Sequence, residues 1–376
     1  MSKIEELINE YCPNGVKFKK LEELLTYEQP KKYIVKTTKY SDEYKIPVLT
    51  AGQSFILGYT NEDEGIFNAS NKKPVIIFDD FTTSFHWVDF NFKVKSSAIK
   101  ILKPMNENVN LRYIYYAMST IKYLPGNHAR HWISVYSQFS VPVPPLEVQH
   151  EIVHILDDFT LLTAELTAEL TARNKQYEYF KNKLLNIEHI PNVEVNEIGE
   201  ICNIKAGGDK PKEIFSKIKN EEFNIPIIGN GIGKNAIIGY TNEAKISQKA
   251  VTIAARGTIG YAEYRDYSYF PIIRLISVIP KDEKILNTKY LYYCLKGRKY
   301  QTPKTGIPQL TVSIFSKTKI LVPPLEEQER IVNILDRFDK LTNDINEGLP
   351  AEIETRRKQY EYYRDKLLNF KELVNE

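Results

Sequence analysis

Apolar residues recur at alternating steps of three and four positions in two long segments, the spacing of a coiled-coil stripe along an α-helix. The first stripe, which has one arginine among its members, occupies Ile152, Ile155, Phe159, Leu162, Leu166, Leu170, Arg173, Tyr177, Phe180 and Leu184. The second stripe occupies Ile331, Ile334, Phe338, Leu341, Ile345, Leu349, Ile353, Arg356, Tyr360, Tyr363 and Leu367. The first contains one extra step of four and the second contains two, which predicts local unwinding of the supercoil, as a stutter does.

Both predicted helices begin beside a pair of prolines. Pro145 and Pro324 suit the first turn of a helix. Glutamates just after them complement the positive end of the helix dipole. Gly348 and Pro350 predict a bend or an interruption of the second helix.

Shorter apolar runs, punctuated by glycine, asparagine and lysine, precede each long helix and predict small mixed α/β segments. Predicted strands occupy 74–81, 97–102, 249–257 and 272–279, and one short helix per segment occupies 111–124 and 288–300. Residues 226–240 predict a strand, a glycine-rich loop and a second strand.

The chain repeats itself at about half its length. "VPPLEVQHEIVHILDDF" at 143–159 returns as "VPPLEEQERIVNILDRF" at 322–338, and "RNKQYEYFKNKLLN" at 173–186 returns as "RRKQYEYYRDKLLN" at 356–369. Pro144 and Pro323 are 179 positions apart. These matches indicate a tandem duplication of one globular segment and one helix.

The repeat and the periodicity together predict an α+β fold. Two mixed α/β globular segments are separated by two long helices, which a pseudo-twofold repeat would most simply pack as an antiparallel coiled coil. The predicted boundaries are 1–143 and 189–322 for the globular segments, 144–188 for the central helix and 323–376 for the C-terminal helix.

Composition narrows the class of protein. With 26% charged and 42% hydrophobic residues, the chain is expected to fold rather than to remain disordered. No apolar run approaches the ~20 residues of a membrane helix, and the N-terminus does not resemble a signal peptide. The three cysteines are scattered and include no CxxC motif, which fits a reducing cytoplasm. The net charge of +3 means that a polyanion would be met by local basic patches.

The repeated "PPLExQ" helices, "RHWISVYSQFSVPVPPLEVQ" at 130–149 and "QYEYYRDKLL" at 359–368 resemble the specificity subunit of type I restriction-modification systems over the whole chain. The resemblance implies two target recognition domains, each of which reads one half of a split site in double-stranded DNA. It also implies two methyltransferase subunits on the helices and two restriction subunits in the full complex. S-adenosylmethionine and ATP would be bound by those partners, and this chain would have no catalytic residue, cofactor or metal of its own.

The stretch "TAELTAELTA" at 163–172 repeats every four residues. One four-residue unit lengthens a helix by ~6 Å and rotates the downstream residues by about 40° relative to whole turns. One base pair advances ~3.4 Å and turns by roughly 34–36°. We therefore hypothesise that the repeat sets the spacing of two DNA half-sites; the alternative is that it merely forms a stable surface helix.

Lysine and arginine are expected to contact phosphates, and polar side chains on loops to read bases. In the first segment the candidates are Lys31, Lys32, Gln53, Ser54, Lys72, Lys73, Thr82, Thr83, His128, Arg130 and His131. In the second they are Lys210, Lys212, Asn230, Lys234, Arg256, Thr258 and Lys304. The alternative for each is a solvated surface residue, and for "HARHW" at 128–132 it is a buried aromatic corner. Because the globular segments differ far more than the helices do, we predict two different half-sites and a non-palindromic target.

Three other functions have a motif or an architecture in their favour. "HEIVH" at 150–154 matches the HExxH pattern of zinc proteases, but its internal copy, "ERIVN" at 329–333, lacks both histidines. "GNGIGKN" at 229–235 departs from the phosphate-loop pattern, because Ile228 stands where the first glycine belongs and Asn235 where serine or threonine belongs. A coiled-coil scaffold with two protein-binding heads is the remaining alternative, and it would lack salt-dependent affinity for DNA.

Overall fold

The computed structural model describes residues 3–50, 52, 54–106, 108–126, 129–187, 191–211, 214–301, 308–344 and 347–373. The chain forms two compact units. Unit 1 comprises Met1–Glu165 and Ile353–Glu376, and unit 2 comprises Leu166–Glu352. The boundaries fall inside the two helical segments, so each unit contains one globular part and portions of both segments. Among the described residues, no helix is long and apolar enough to cross a membrane.

Unit 1 begins with a short helix and continues as a mixed α/β domain. Its elements are α1 (Lys3–Tyr11), β1 (Lys17–Lys20), α2 (Leu21–Leu24), β2 (Leu25–Glu28), β3 (Ile46–Leu49), β4 (Ile56–Thr60), β5 (Val75–Asp79), β6 (Phe85–Val88), β7 (Lys93–Val94), β8 (Ile99–Pro104), α3 (Leu111–Met118), β9 (Ser140–Val143) and the first part of α4 (Leu146–Leu185). One four-stranded sheet has the order β2-β8-β5-β6, a three-stranded sheet has the order β4-β3-β7, and β1 pairs with β9. The inner strand β5 is almost wholly apolar and its first four residues are buried, as an inner strand requires.

The C-terminal residues are built into unit 1. Val16 N donates to the carbonyl of Lys371 at 2.8 Å, and Leu373 N donates to the carbonyl of Val16 at 2.9 Å. Gly15, at a φ of +103°, passes so close to Lys371 that a Cβ would collide with its carbonyl oxygen. Leu367 and Leu368 share a buried core with residues of α1, α3 and α4.

Unit 2 repeats this architecture. Its elements are β10 (Glu194–Glu197), α5 (Ile198–Ile201), β11 (Cys202–Ala206), β12 (Ile225–Ile228), β13 (Ile237–Thr241), β14 (Ala250–Ile253), β15 (Ala262–Arg265), β16 (Phe270–Pro271), β17 (Ile276–Pro280), α6 (Thr288–Leu295), α7 (Val312–Phe315), β18 (Lys319–Val322) and α8 (Leu325–Asn343). The sheet orders are β11-β17-β14-β15, β13-β12-β16 and β10-β18. When the strands of each unit are matched in chain order, these three sheets have the same strand orders as the three sheets of unit 1. This agreement confirms the α+β class and the tandem repeat.

The long helices follow the predicted stripes, except that three of the stripe residues are exposed. α4 is continuous, whereas α8 ends at Asn343 and α9 (Leu349–Leu367) begins after Gly348, so the predicted interruption is confirmed. Pro350 lies in the first turn of α9, where proline is tolerated. Phe180 and Leu341 are each 39% exposed and Tyr363 is 40% exposed despite their stripe positions. Leu341 lies in the last turn before the interruption, and the stripe residue Ile345 lies outside the described residues.

Each unit contains one pair of antiparallel helical segments. In unit 1 the start of α4 packs with the end of α9, and Phe159 stacks on Tyr363 with ring centroids 5.3 Å apart. In unit 2 the end of α4 packs with the start of α8, and Phe180 stacks on Phe338 at 5.8 Å. α4 and α8 begin one residue after Pro145 and Pro324, so the prolines precede the first turn instead of lying in it.

Candidate nucleic-acid interface

A carboxylate on α4 joins the helix to the globular part of unit 1. Asp157 Oδ1 accepts from Arg112 Nε at 2.7 Å and also from the hydroxyl of Tyr116, both on α3. Asn110 caps α3, because its side chain accepts from Tyr113 N at 3.1 Å. The Tyr113 hydroxyl in turn donates to a β9 carbonyl at 3.0 Å. α3 is therefore held on one side by the sheet and on the other by the long helix.

Unit 2 builds the same joint. Asp336 on α8 accepts from Tyr293 at 2.5 Å and from Lys289 Nζ at 2.7 Å. Burial and the hydrogen bond to Asp336 raise the pKa of Tyr293, so its hydroxyl remains a donor. Asn287 caps α6 as Asn110 caps α3. The Tyr290 hydroxyl donates to the Leu321 carbonyl at 2.8 Å.

The glutamine of each "PPLExQ" motif is buried at the start of its helix. Gln149 and Gln328 donate through Nε2 to the carbonyls of Pro144 and Pro323, at 2.7 and 2.8 Å. Gln328 Oε1 also accepts from Asn287 N at 2.8 Å. The repeated motif thus fixes the helix start to the domain. The interpretation from sequence identified the motif as a family signature but did not single out these residues; their recurrence at the repeat distance was the available signal.

A loop after β14, an inner strand of the four-stranded sheet of unit 2, brings together three of the predicted residues. Asn230 Oδ1 accepts from Ala255 N at 2.8 Å, and Thr258 Oγ1 donates to the Asn230 carbonyl at 2.6 Å. Asn230 Nδ2 donates to the Ile273 carbonyl at 2.7 Å. Between these anchors lie Arg256, which is partly exposed, and Gly257, which is exposed with a φ of +67°. The loop is therefore fixed at its base and open at its tip.

Arg256 itself has a side-chain partner that the sequence interpretation missed. Gln309 Oε1 accepts from Arg256 Nε at 3.0 Å and from Nη2 at 2.7 Å. The neighbouring Leu310 N donates to the Ala255 carbonyl at 2.9 Å. Gln309 lies 179 positions after Arg130, the same distance that separates Pro144 from Pro323, so the repeat contained the signal that points to it.

The corresponding loop of unit 1 has different side chains. Asp79 Oδ1 accepts from the backbone N–H of Phe81 at 2.7 Å and of Thr82 at 3.0 Å, which stabilises a tight turn. Asp80 Oδ1 accepts from Trp132 N at 2.9 Å, and the Asp80 carbonyl accepts from His131 N at 2.8 Å. Asp80 therefore anchors the segment that presents the exposed Arg130.

The predicted DNA-contacting residues fall into four groups. Exposed are Lys31, Lys32, Ser54, Lys72, Lys73, Thr82, Arg130, Lys210 and Lys234, and half-buried are Asn230, Arg256 and Thr258. Thr83 and His131 are buried at 8% and 4% exposure, and His131 bonds to the Tyr123 hydroxyl, so their burial weighs against contact with a ligand. Gln53, His128, Lys212 and Lys304 lie outside the described residues.

The HExxH stretch is engaged in surface ion pairs. His150 and His154 are exposed, and His154 contacts Asp158 at 3.1 Å on the next turn. Glu151 is paired with Lys3 at 2.5 Å. Within the part of the chain that the structure describes, no group of three or more histidine, cysteine or acidic side chains is placed to hold a metal.

Comparisons with known proteins agree with the architecture. A family model described as the type I restriction modification DNA specificity domain matches residues 13–173 and again 191–355. The chain is 42% identical to the type I restriction enzyme EcoR124I/EcoR124II specificity subunit of Escherichia coli, over 98% of this chain and 97% of that one. It is 35% identical to a putative type I restriction enzyme specificity subunit of Haemophilus influenzae, over 85% and 86% of the two chains. The crystal structure of a type I restriction-modification S subunit from M. genitalium shares the fold, with a TM-score of 0.62 at 16% identity over 94% and 96%.

Proposed function

Because the chain belongs to the family of type I restriction-modification specificity subunits, a DNA-recognition component rather than a catalytic one, we propose that it reads a bipartite, asymmetric DNA sequence, one half with each unit. One observation carries this proposal. The two units have the same sheets and the same helix joint, yet the loop after the inner strand has Phe81 in unit 1 and Arg256 in unit 2. Equal frameworks with unequal loops are suited to two different half-sites.

The exposed basic and polar residues of both units supply the contacts. In this scheme the exposed lysines Lys31, Lys72 and Lys210 contact phosphates, an interaction that is the same for every DNA sequence and makes affinity salt-dependent. Thr82, Arg130 and the loop that contains Arg256 read base edges in this scheme.

The long helices position the partner subunits. We expect two methyltransferase subunits to assemble on them and two restriction subunits to complete the complex, in the cytoplasm where the chromosome lies. S-adenosylmethionine and ATP belong in this scheme to those partners. The joints at Asp157 and Asp336 support the role, because they hold each globular part at a defined orientation on its helix.

The repeat at 163–172 sets the spacing of the half-sites. It lies inside α4, a continuous helix of 40 residues, so that inserted residues displace the rest of the helix beyond them. Thr163 and Thr171 turn their hydroxyls back to the carbonyls of Phe159 and Thr167, at 2.8 and 2.9 Å, which keeps these side chains within the helix surface.

Methylation mapping tests the proposal. The chain is co-expressed with its cognate methyltransferase subunit, and methylated adenines are located across the host genome by single-molecule sequencing. A split motif with a fixed spacer and a methylated adenine in each half is the expected result. An assembled, active complex that leaves no such motif, together with no salt-dependent DNA binding, would favour the scaffold with protein-binding heads.

A further inference from the structure

The two units place one backbone hydrogen bond identically beside the loop that follows the inner strand. In unit 2, Leu310 N donates to the Ala255 carbonyl at 2.9 Å; in unit 1, His131 N donates to the Asp80 carbonyl at 2.8 Å. The residue after each acceptor and the residue before each donor are therefore equivalent between the units. The first position has Phe81 in unit 1 and Arg256 in unit 2. The second has Arg130 and Gln309.

In unit 2 this position pair fixes the plane of a guanidinium group. Gln309 Oε1 binds Nε and Nη2, which form the side-on edge of Arg256. The end-on edge, formed by one N–H of Nη1 and one of Nη2, points away from that contact by the planar geometry of the group. The backbone beneath is held by Asn230, and the adjoining Gly257 has no side chain to obstruct an approaching ligand.

A fixed end-on edge offers two parallel donors, and base edges differ in what they offer in return. In the major groove, guanine presents two neighbouring acceptors, O6 and N7. Adenine presents one acceptor and one donor, thymine one acceptor and a methyl group, and cytosine a donor. Guanine alone accepts both N–H groups at once. A phosphate also has two acceptor oxygens, but contact with it would carry no sequence preference.

We propose that Arg256, positioned by Gln309, reads a guanine in the half-site of unit 2, and that the equivalent pair Phe81 and Arg130 reads a different base in the half-site of unit 1. This inference rests on the proposed function, since it requires that each unit reads DNA. It adds the base, the reading residue and a positioning residue, Gln309, that holds the arginine without needing to touch DNA.

The test compares point variants in the co-expressed complex with its methyltransferase subunit. Arg256→Lys keeps the charge but loses the planar pair of donors, and Gln309→Ala removes the acceptor that orients it. Gln309→Glu keeps an oxygen in that place and should rescue the function. Lys249→Ala, which removes an exposed lysine of the same unit, is the matched control. Methylated motifs are mapped in vivo, and the purified complexes bind duplexes with each base at each position over a range of salt.

With Arg256→Lys and Gln309→Ala, the preference for guanine at one position of one half-site should fall by about tenfold or more. The other half-site, the spacer and the salt slope should be unchanged, and Gln309→Glu and Lys249→Ala should keep the wild-type motif. Uniform weakening at all sequences with a shallower salt slope would make Arg256 a phosphate contact and overturn the inference. An unaltered motif in the Arg256 variant would also overturn it. If the wild-type complex itself yields no split motif, the proposed function fails first, and this outcome is distinct from both.

Discussion

A buried ion pair supports the loop of unit 1 and allows a sharp prediction. Asp80 and Lys100 are each 1% exposed, with 3.1 Å between Lys100 Nζ and Asp80 Oδ2. The other carboxylate oxygen of Asp80 accepts from Trp132 N at 2.9 Å. Removing one partner of a buried pair costs roughly 3–5 kcal/mol, because the remaining charge is uncompensated.

Asp80→Asn should destabilise unit 1 by about 3 kcal/mol, the lower end of that range. The amide retains an oxygen for Trp132 N, and the stranded ammonium of Lys100 still lies 5.1 Å from the ring centroid of Tyr27, which compensates it in part. Lys100→Met should cost a similar amount. The double variant replaces the pair by neutral groups of comparable size, so it should be more stable than either single variant.

Fluorescence isolates the measurement to unit 1. The chain has two tryptophans, Trp87 and Trp132, and both belong to that unit. Denaturant unfolding of the full chain, followed by tryptophan emission, therefore reports its free energy of unfolding. Lys72→Met, a change at an exposed lysine, serves as the control and should stay within about 0.5 kcal/mol of wild type. Strictly additive effects in the double variant would refute the reasoning, because uncoupled residues cannot owe their cost to the pair.

Three further outcomes are expected. Asp336→Ala should lower the free energy of unfolding of unit 2 by about 2–4 kcal/mol, since Tyr293 and Lys289 lose a charged acceptor. Unfolding is followed by circular dichroism, with Tyr293→Phe as the comparison. If Asp336→Ala costs no more than Tyr293→Phe, the carboxylate is not the centre of the joint. Burial lowers the pKa of His86 in the folded protein. In the unfolded chain the same histidine has a pKa of about 6.5, so as pH falls the unfolded state binds the proton first. Unit 1 should therefore lose stability as pH falls below about 6.5, and His86→Gln, followed by tryptophan emission, should remove that part of the pH dependence. Adding or deleting one four-residue unit within 163–172 should change the spacer of the methylated motif by about one to two base pairs, because the ~40° rotation matches about one base pair and the ~6 Å of length about two. An unchanged spacer would contradict the hypothesis that the repeat sets the spacing of the half-sites.

Periodicity predicted the elements whose burial is regular. The apolar stripe identified α4, and Gly348 marked the interruption between α8 and α9, because both depend on local spacing. The strands β5 and β14 stood out as short β-branched runs for the same reason.

The side chains of loops were harder to predict from the sequence, because their direction depends on contacts with residues that are distant along the chain. Thr83 and His131 are of residue types that commonly contact DNA, yet they turn into the domain, where His131 meets Tyr123. Gln309 lies 53 positions from Arg256, so no local pattern pairs them. Only the repeat distance, applied from Arg130, connects Gln309 to the loop.

The pairing of Val16 with residues 371 and 373 has a consequence for the order of biosynthesis. Unit 2 is a single stretch of sequence, so all of it has been translated once residue 352 is added. Most of unit 1 is synthesised before unit 2, but its core also needs Leu367 and Leu368, which are added only after unit 2. Unit 1 is thus started first and completed last. The apolar surface that Leu367 and Leu368 cover stays exposed while all of unit 2 is synthesised. A premature stop shortly before residue 367 would leave unit 2 complete and would deprive unit 1 of its closing contacts.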